Sequence, residues 1–473
     1  MKKQVISLSL LVIVLVGLLA AMFLLQRRPP AGATTTLTQF GSYEVLRFDA
    51  LVAEIAVIPR GGIGAYTVKS IPAGSGAAEQ SSTLAGHEYL PVDTKKTDGL
   101  LSSARTLDAS QLLYDEVDDY SLFGLADPMR IVRFTDLDGV TQTLLIGDSS
   151  PDGGNHYIQV QGNKTIYLIP NYRLSGYMQP ETAYIDTRLV YGGADYYYAA
   201  QSITLGGSVR DSFGDILITP VTAAEATPMD LHTHMLRTPV VRPLDHRTGF
   251  QALLTLFTLE ADEVLAIRPD AVMLSECGLD RPYSSVDVQS KGFGDFYLCV
   301  SEPDEMGMVY AYKDDIPLLY RINADKLPWM DMQFYDLMYR SVSTLYLDEI
   351  AEIEVATHMG DYCFVLDHSN PARIEVDMDG RPAHRENFMR LCETLRGASY
   401  DELTFDSLPD GILPELQITY RYVSGSPEKV MSFYPGVARR FIVDTGEVEF
   451  RFYTSSLYVD KVLSDVAAAL PPG

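Results

Sequence analysis

The sequence predicts an α+β protein: an N-terminal transmembrane helix followed by three tandem repeats, each a helical segment packed on an antiparallel β-meander. Three observations predict it: a charge-free apolar run near the amino terminus, a Gly-Leu-x-x-Pro step that occurs twice, and apolar-polar alternation after each step. The predicted parts are a signal anchor at 1–28, a linker at 29–39, and repeat units at 40–184, 185–334 and 335–473.

The apolar run from Val5 to Leu25 is long enough to cross a bilayer as a helix. The Ala-x-Ala-like site at residues 31–33 lies beyond Arg27 and Arg28, which favours an uncleaved anchor over a cleaved signal peptide. Basic residues flank both ends of the run, and the short leading tail favours an outward orientation. We therefore expect a single-pass protein of the cell membrane with the bulk of the chain extracytoplasmic; a cytoplasmic bulk is the alternative.

Charge and length limit the partners and the number of domains. The chain has 37 basic and 63 acidic residues, and its net charge is −26. An acidic surface repels nucleic acid and anionic lipid headgroups, so neither is an expected partner. A solvated acidic face is the simple interpretation, and affinity for a basic partner or a cation is the alternative. About 445 residues follow the anchor, enough for about three domains of ordinary size.

The Gly-Leu-x-x-Pro step is typical of a helix-to-strand junction. Glycine just past a helix adopts the left-handed conformation without steric cost, and proline can begin a strand but cannot continue a helix. The predicted junction residues are Gly124, Leu125 and Pro128 in the first copy and Gly278, Leu279 and Pro282 in the second. We expect these residues to be structural, and no residue is predicted to be catalytic, to bind a cofactor or to bind a metal.

Other landmarks recur in the same order around these steps. A proline precedes each helical pattern, and a threonine follows it 12 to 15 residues later; the pairs are Pro91 with Thr106, Pro243 with Thr258, and Pro382 with Thr394. An isoleucine of the opening strand recurs at intervals of 148 and 150 residues, as Ile55, Ile203 and Ile353. Several landmarks in one order at similar spacing predict a repeat of about 150 residues.

Each unit is predicted to contain an opening strand pair, a helical segment and four meander strands. The apolar faces of the first two helical segments are Leu100, Leu101, Ala104 and Leu107, and Phe250, Leu253, Leu254 and Phe257. After each junction the pattern changes to period two, which indicates hairpins such as 131–134 with 143–147. We expect each helix to cover one face of its sheet.

Four cysteines are few for a secreted disulfide scaffold of this size. Cys392 falls on the apolar face of a predicted helix, and Cys299 lies within a predicted strand. Buried thiols are the favoured interpretation, and a bridge between Cys363 and Cys392 stays open.

Three sequence features could indicate a metal-binding or carbohydrate-binding site. His232 and His234 have a spacing that could place two imidazoles on one strand face near His246, but their surroundings are loop-like. The Asp-x-Asp-Gly sequences at 136–139 and 377–380 are interpreted as hairpin turns, because the other ligands of a calcium loop are missing. The 29 tyrosines, among them 196–198, 335, 339 and 346, could form a carbohydrate platform, although half-buried strands favour tyrosine in any case.

The order of landmarks resembles the bacterial domain-of-unknown-function family 4340, over most of residues 40 to 460. The resemblance rests on the steps at 123–128 and 278–282, on Ile146-Gly147, on Tyr157-Ile158 and on the strand at 350–353. Members carry an amino-terminal membrane segment and are often encoded beside ABC-type transport proteins. The resemblance implies an extracytoplasmic accessory protein of a membrane complex, and it brings no catalytic residues.

We therefore expect a non-enzymatic accessory or scaffolding subunit of an ABC-transporter-like complex, with the membrane and a permease-type protein as partners and no cofactor. Two alternatives stay open. A polysaccharide-binding module would gather tyrosines in one groove, and an enzyme would bring carboxylates or histidines together in one pocket with perturbed pKa values.

Overall fold

A computed structural model describes residues 39–71, 81–114, 117, 119–223, 225, 232–342, 345–370, 374–400, 402–405, 407–408, 411–446 and 451–471. The chain divides into two compact units, residues 1–186 and 187–473. Within the described residues, the first unit holds one nine-stranded antiparallel sheet and the second unit holds two.

The sheet of the first unit has the strand order β1-β5-β9-β8-β7-β6-β2-β3-β4. Its strands are β1 (Gln39–Arg47), β2 (Val52–Pro59), β3 (Tyr66–Ser70), β4 (Ser82–Leu84), β5 (Thr106–Tyr114), β6 (Arg130–Asp136), β7 (Thr141–Ser149), β8 (Asn155–Val160) and β9 (Ile166–Pro170). Alternate side chains of its central strands are buried, as in Ile55 and Val57 of β2 and Val132 and Phe134 of β6.

The second sheet has the order β13-β12-β11-β10-β15-β16-β17-β18-β14. Its strands are β10 (Ala200–Gly206), β11 (Ile216–Pro220), β12 (His234–Leu236), β13 (Arg242–Pro243), β14 (Glu263–Ile267), β15 (Ser284–Ser290), β16 (Phe296–Val300), β17 (Met308–Lys313) and β18 (Leu318–Asn323).

The third sheet has the order β22-β21-β20-β19-β24-β25-β26-β27-β23. Its strands are β19 (Ile350–Thr357), β20 (Gly360–Asp367), β21 (Glu375–Met378), β22 (Arg381–Pro382), β23 (Glu402–Thr404), β24 (Leu416–Tyr422), β25 (Lys429–Pro435), β26 (Arg440–Asp444) and β27 (Arg451–Ser455). This strand order is identical to that of the second sheet. Among the described residues, the first sheet has no strand corresponding to β13 or β22 next to β4, and it has the additional strand β1 at its other edge.

Short helices connect the strands. The α-helices are α1 (Thr94–Ser103), α2 (Asn171–Met178), α3 (Gly193–Ala199), α4 (Gln251–Leu254), α5 (Ala271–Glu276), α6 (Phe334–Leu337), α7 (Arg385–Arg396) and α8 (Ser456–Ala469). Single turns of 3₁₀-helix lie at Tyr120–Phe123, Glu181–Tyr184, Ser208–Arg210, Thr255–Thr258 and Ala324–Lys326, and a π-helical turn at His246–Phe250.

The predicted α+β arrangement, a helix packed on a four-strand meander, is wrong. The described chain is mostly antiparallel β-sheet, because the opening strands pair directly with the meander strands: Ile55 of β2 lies opposite Phe134 of β6. A further strand also follows each helical segment. Leu107, predicted to lie on a helical face, is in β5 opposite Leu46 of β1. A few apolar residues fit a helical and a strand period equally well, which explains the error.

The prediction of a single-pass membrane protein is likewise not supported. In the part of the chain that the structure describes, no helix has both the length and the apolar character needed to cross a bilayer. The span predicted at Val5 to Leu25 itself lies outside the described residues.

Candidate functional site

A groove with a volume of about 650 Å³ lies between α1 and α2 in the first unit. We call it the α1–α2 groove. Its lining comprises Lys96, Gly99, Leu100, Ser103, Thr106, Leu107, Tyr172, Arg173, Ser175, Gly176, Tyr177, Gln179, Ala183 and Tyr184.

The first wall of the groove is α1. Its N-cap is Asp93, whose carboxylate accepts from the Lys96 amide at 3.3 Å. The helix buries Thr97, Leu100 and Leu101 against the sheet. Lys96 and Gly99 therefore remain on the side of the helix that lines the groove.

The second wall is α2, which ends before Pro180. A residue that precedes proline is driven out of the helical conformation, and Gln179 has an extended backbone with ψ 153°. The chain resumes as the 3₁₀ turn Glu181–Tyr184. Gly176 lets α2 approach α1 closely, because a Cβ there would lie 2.7 Å from Leu100 Cδ1.

The described lining has two charged side chains, Lys96 and Arg173. Both are cationic, although the chain has a net charge of −26. Lys96 Nζ lies 3.1 Å from Ala183 O and 3.4 Å from a carboxylate oxygen of Asp93. Arg173 Nη1 donates to Asp108 O at 3.2 Å, and its Nε lies 3.4 Å from Tyr172 Oη. Both cations are partly exposed, which leaves part of each hydrogen-bonding head open to a ligand.

Three hydroxyl groups of the groove, those of Ser103, Ser175 and Tyr184, donate to the protein's own backbone. Ser103 Oγ donates to Leu100 O at 2.9 Å, and Ser175 Oγ donates to Tyr172 O at 2.9 Å. Tyr184 Oη donates to Gly176 O. The lining also contains the side chains of Thr106, Tyr172 and Gln179, and its charged donors are the two cations. The groove is therefore suited to a ligand with negative charge and an apolar body.

The buried phenols of the groove stay protonated at neutral pH. Burial raises the pKa of Tyr177 to about 12, and burial also raises the pKa of Tyr184. The groove can therefore bind and orient a ligand, but these hydroxyls are poorly suited to transfer protons near neutral pH.

A second recess, of about 330 Å³, lies in the unit 187–473 and is largely aromatic. Its lining comprises Phe213, Tyr335, Asp336, Arg340, Tyr400, Glu402, Leu403 and Phe405. The rings of Phe213 and Phe405 stack with centroids 5.1 Å apart. Its carboxylates are already engaged: Asp336 accepts from the Gln333 amide at 2.9 Å, and Glu402 pairs with Arg440 at 2.6 Å.

None of the predicted junction residues lines either recess; both junctions lie at the ends of short helices. Gly124 has φ 68° and donates its amide to Ser121 O, while the Leu125 amide donates to Tyr120 O. The second copy forms the same pair of bonds: Gly278, with φ 73°, donates to Ser275 O, and Leu279 donates to Leu274 O. Both are Schellman motifs, and they act on the backbone alone.

The two prolines of the steps begin the return to the sheet. Pro128 precedes β6, and Pro282 precedes β15 and accepts a hydrogen bond from the Ser208 amide at 3.1 Å. The side chains of Leu125 and Leu279 are buried. All six junction residues therefore fix backbone and core.

The histidine candidates lie among aromatic rings. His232 packs on Tyr339 with centroids 4.5 Å apart, and buried His234 packs on Tyr197 at 4.3 Å. Burial lowers the pKa of His234 to about 4. Across the residues that the structure describes, no group of three or more His, Cys, Asp and Glu side chains could hold a metal ion.

The tyrosine and cysteine candidates are also dispersed. Tyr197 is buried, while Tyr196 stacks on Phe293 with ring centroids 4.1 Å apart, so residues 196–198 do not form one platform. Cys363 and Cys392 are both free thiols, on β20 and α7, so the bridge left open by the sequence is not present.

The sequence did not predict the α1–α2 groove as a site, although Leu100, Thr106 and Leu107 of its lining carry the predicted helical face and repeat landmark. Its walls come from segments about 75 residues apart, which no local pattern connects. The sequence features that could have indicated the groove are Lys96 and Arg173, two cations in an acidic chain, and Pro180, which interrupts a helical segment.

A family model described as Domain of unknown function (DUF4340) matches residues 83–203. The predicted resemblance is confirmed over these residues, a narrower range than the predicted 40 to 460. The matched range contains the whole lining of the α1–α2 groove. No curated protein and no solved structure matches the chain significantly.

Proposed function

We propose that this chain is a non-enzymatic accessory subunit that binds a protein component of an ABC-transporter-like complex. The observation that supports the proposal most is the α1–α2 groove, which lies within the residues matched by the family model. Its described lining offers two cations and an apolar floor, with no carboxylate or imidazole for acid–base catalysis. Such a lining favours binding over chemistry.

The transporter partner comes from the family resemblance, and the groove supplies a place for it to bind. The second and third sheets share one strand order, and the first sheet differs from it by one strand at each edge. Extended hydrogen-bonded sheets hold their surface side chains in fixed positions, which suits a subunit whose role is to position another protein.

A polysaccharide-binding role is the second candidate, because Tyr172, Tyr177 and Tyr184 line one groove. Sugars stack on exposed aromatic faces, yet Tyr177 and Tyr184 are almost fully buried and only Tyr172 is exposed, at 73%. The hydroxyls of Ser103, Ser175 and Tyr184 are also directed to backbone carbonyls. The groove therefore favours a charged ligand over a neutral sugar.

The test is affinity purification of the tagged full-length chain from detergent extracts of its native cells, with quantitative mass spectrometry. The wild type is compared with the double variant Lys96→Glu/Arg173→Glu and with Lys69→Glu, a partly exposed charge reversal outside the groove in the same sheet domain. We expect a permease or its ATPase to copurify with the wild type and Lys69→Glu and to be lost with the double variant. Failure to enrich any transporter component would contradict the proposal.

A further inference from the structure

Each sheet, with the helices that connect and follow its strands, is called a sheet domain, numbered as the sheets are. In the first and third sheet domains, the backbone amide of a helix N-cap residue donates to the carbonyl of the residue that ends the last helical segment of that domain. In the first, the Asp93 amide donates to Tyr184 O at 2.9 Å; in the third, the His384 amide donates to Ala469 O at 3.1 Å. Asp93 and His384 are the N-caps of α1 and α7. The two hydrogen bonds give a residue-by-residue correspondence between the two helix pairs.

In the third domain, the helix pair is closed by a carboxylate. Asp465 of α8 is buried and accepts from Thr394 Oγ1 at 2.7 Å and from Arg390 Nε at 3.0 Å. Lys461 Nζ lies 3.1 Å from the same carboxylate. These hydrogen bonds and ion pairs hold the pKa of Asp465 below its usual value despite burial, so it is ionised at neutral pH.

In the first domain, the corresponding positions are small or lack a carboxylate. Counting from the capped residues, Asp465 corresponds to Pro180, and Arg390, Thr394 and Lys461 correspond to Gly99, Ser103 and Gly176. Gly99, Ser103 and Gly176 all line the groove. The α1–α2 groove thus corresponds to the space between α7 and α8 of the third domain, which Arg390, Lys461 and the carboxylate of Asp465 fill.

The described lining of the groove holds two cations and no carboxylate. Carboxylate oxygens of Asp93 and Asp108, outside the lining, lie 3.4 Å from Lys96 Nζ and 3.9 Å from Arg173 Nη1. Lys96 and Arg173 lie in its lining, at the positions of Asn387 and Tyr458 of the third domain. Two cations beside an open apolar seam are complementary to a ligand that brings its own carboxylate. The volume of about 650 Å³ is enough for a few residues of a peptide.

We propose that the α1–α2 groove binds an acidic peptide segment of the partner protein, one carboxylate of which takes the place that Asp465 fills in the third domain. This inference rests on the proposed function, since it assumes a protein partner. Acidic polysaccharide is the competing class of ligand; the hydroxyls of Ser103, Ser175 and Tyr184, already bonded to backbone carbonyls, argue against it.

The test selects a random 12-residue peptide library, displayed on phage, against the immobilised full-length chain. Selected sequences should be enriched in aspartate and glutamate beside leucine or isoleucine. A synthetic selected peptide is then titrated by fluorescence anisotropy into the wild type and two variants. Lys96→Gln/Arg173→Gln removes the cations, and Gly99→Asp places a carboxylate in the lining itself, where a Cβ would meet no atom within 4 Å.

We expect at least tenfold weaker binding by Lys96→Gln/Arg173→Gln. We expect at least fivefold weaker binding by Gly99→Asp, because its own carboxylate would compete with the peptide for the cations. Lys69→Gln and Pro151→Asp, substitutions outside the lining, should bind within twofold of the wild type. Far-ultraviolet circular dichroism of each variant checks that it is folded. Replacing each glutamate of the peptide by glutamine should weaken its binding to the wild type.

Peptides without acidic enrichment, or equal binding by the wild type and both groove variants, would overturn the inference. Displacement of the peptide by polygalacturonate at lower concentration than by free peptide would assign the groove to an acidic polysaccharide instead. The outcome is separable from that of the proposed function. Acidic peptides could bind the groove while no transporter component copurifies, or a transporter component could copurify equally with the groove variants.

Discussion

The backbone amide of Asp245 donates a hydrogen bond to the carbonyl oxygen of Leu337, with the nitrogen and oxygen 2.8 Å apart. Asp245 caps a helical segment, and Leu337 ends the segment that follows the last strand of the second sheet. The same bond joins Asp93 to Tyr184 in the first sheet domain. The fold thus fixes the ends of its helical segments by a shared backbone contact, and the side chains between these ends vary.

Asp245→Ala should loosen the helical segment that it caps. Its carboxylate accepts from the amides of Arg247 and Thr248 at 2.8 Å each, and removal of such a cap costs about 1–2 kcal/mol. Asp93→Ala should cost less, about 0.5–1 kcal/mol, because Asp93 accepts from one amide at 3.3 Å. Hydrogen exchange by mass spectrometry should show faster exchange over residues 246–258 in Asp245→Ala. Asp280→Ala, an exposed substitution, is the control; equal exchange in both variants would refute the expectation.

The two junction glycines should differ in their tolerance of alanine. Both have positive φ, which costs an alanine about 1–2 kcal/mol. A Cβ at Gly124 would also lie 2.8 Å from the backbone nitrogen of Asp148, whereas one at Gly278 would meet its nearest atom, Ser301 Cβ, at 3.9 Å. We expect Gly124→Ala to lose at least about 1 kcal/mol more than Gly278→Ala. Urea unfolding followed by circular dichroism tests this; similar losses would show that the Asp148 loop yields easily.

Arg210→Met should destabilise the unit 187–473 strongly. The buried guanidinium donates five hydrogen bonds, to Met332 O, Gly206 O, Ser284 Oγ, Trp329 O and Met330 O. Methionine would leave these buried acceptors without their donors, at a cost of about 3–5 kcal/mol.

Trp329, the single tryptophan of the chain, reports directly on this site because its carbonyl accepts from Arg210 Nη2 at 2.7 Å. Urea unfolding followed by tryptophan fluorescence should show a lower midpoint for Arg210→Met. Arg281→Met, whose side chain is 80% exposed, should unfold like the wild type. An unchanged midpoint for Arg210→Met would mean that the carbonyls find other donors.

The free energy of unfolding of the unit 187–473 should fall as the pH is lowered from 6.5 to about 4, because folded His234 stays neutral in this range. Burial lowers its pKa from 6.5 to about 4, so between these values the unfolded chain binds a proton that the folded chain does not. Stability due to this group is full above pH 6.5 and declines by about 3 kcal/mol as pH falls to 4. The unfolding free energy of His234→Gln, measured by tryptophan fluorescence from pH 7 to 4, should decline less steeply. Parallel curves would contradict this assignment.

The sequence was most informative where one residue type determines the local backbone. Gly124 and Gly278 each adopt positive φ at the end of a helix, as a glycine followed by leucine and proline suggests. Leu107 was misread because its neighbours fit two periods, and pairing with Leu46 decided its conformation. Strand partners distant in sequence, such as Ile55 and Phe134, lay beyond any local pattern.

The groove could not be predicted because it depends on the absence of long side chains from two separate helices. Gly99 and Gly176 are ordinary glycines in the sequence, and only the fold places both in one lining. The positions that correspond to these two glycines in the third domain are Arg390 and Lys461, which form ion pairs with Asp465. The comparison needs the hydrogen-bonded correspondence of the helix ends, which the sequence landmarks alone did not supply.

Photo-crosslinking from the groove in living cells, with p-benzoylphenylalanine in place of Tyr172, which is 73% exposed, tests protein binding directly. We expect one dominant crosslink, to an acidic segment of a transporter subunit, that disappears when Lys96 and Arg173 are also replaced by glutamate. The same probe at Leu122, 76% exposed and outside the groove, should not give that crosslink. No protein crosslink at residue 172, or the same crosslinks from both positions, would contradict the central claim that the groove binds a protein partner.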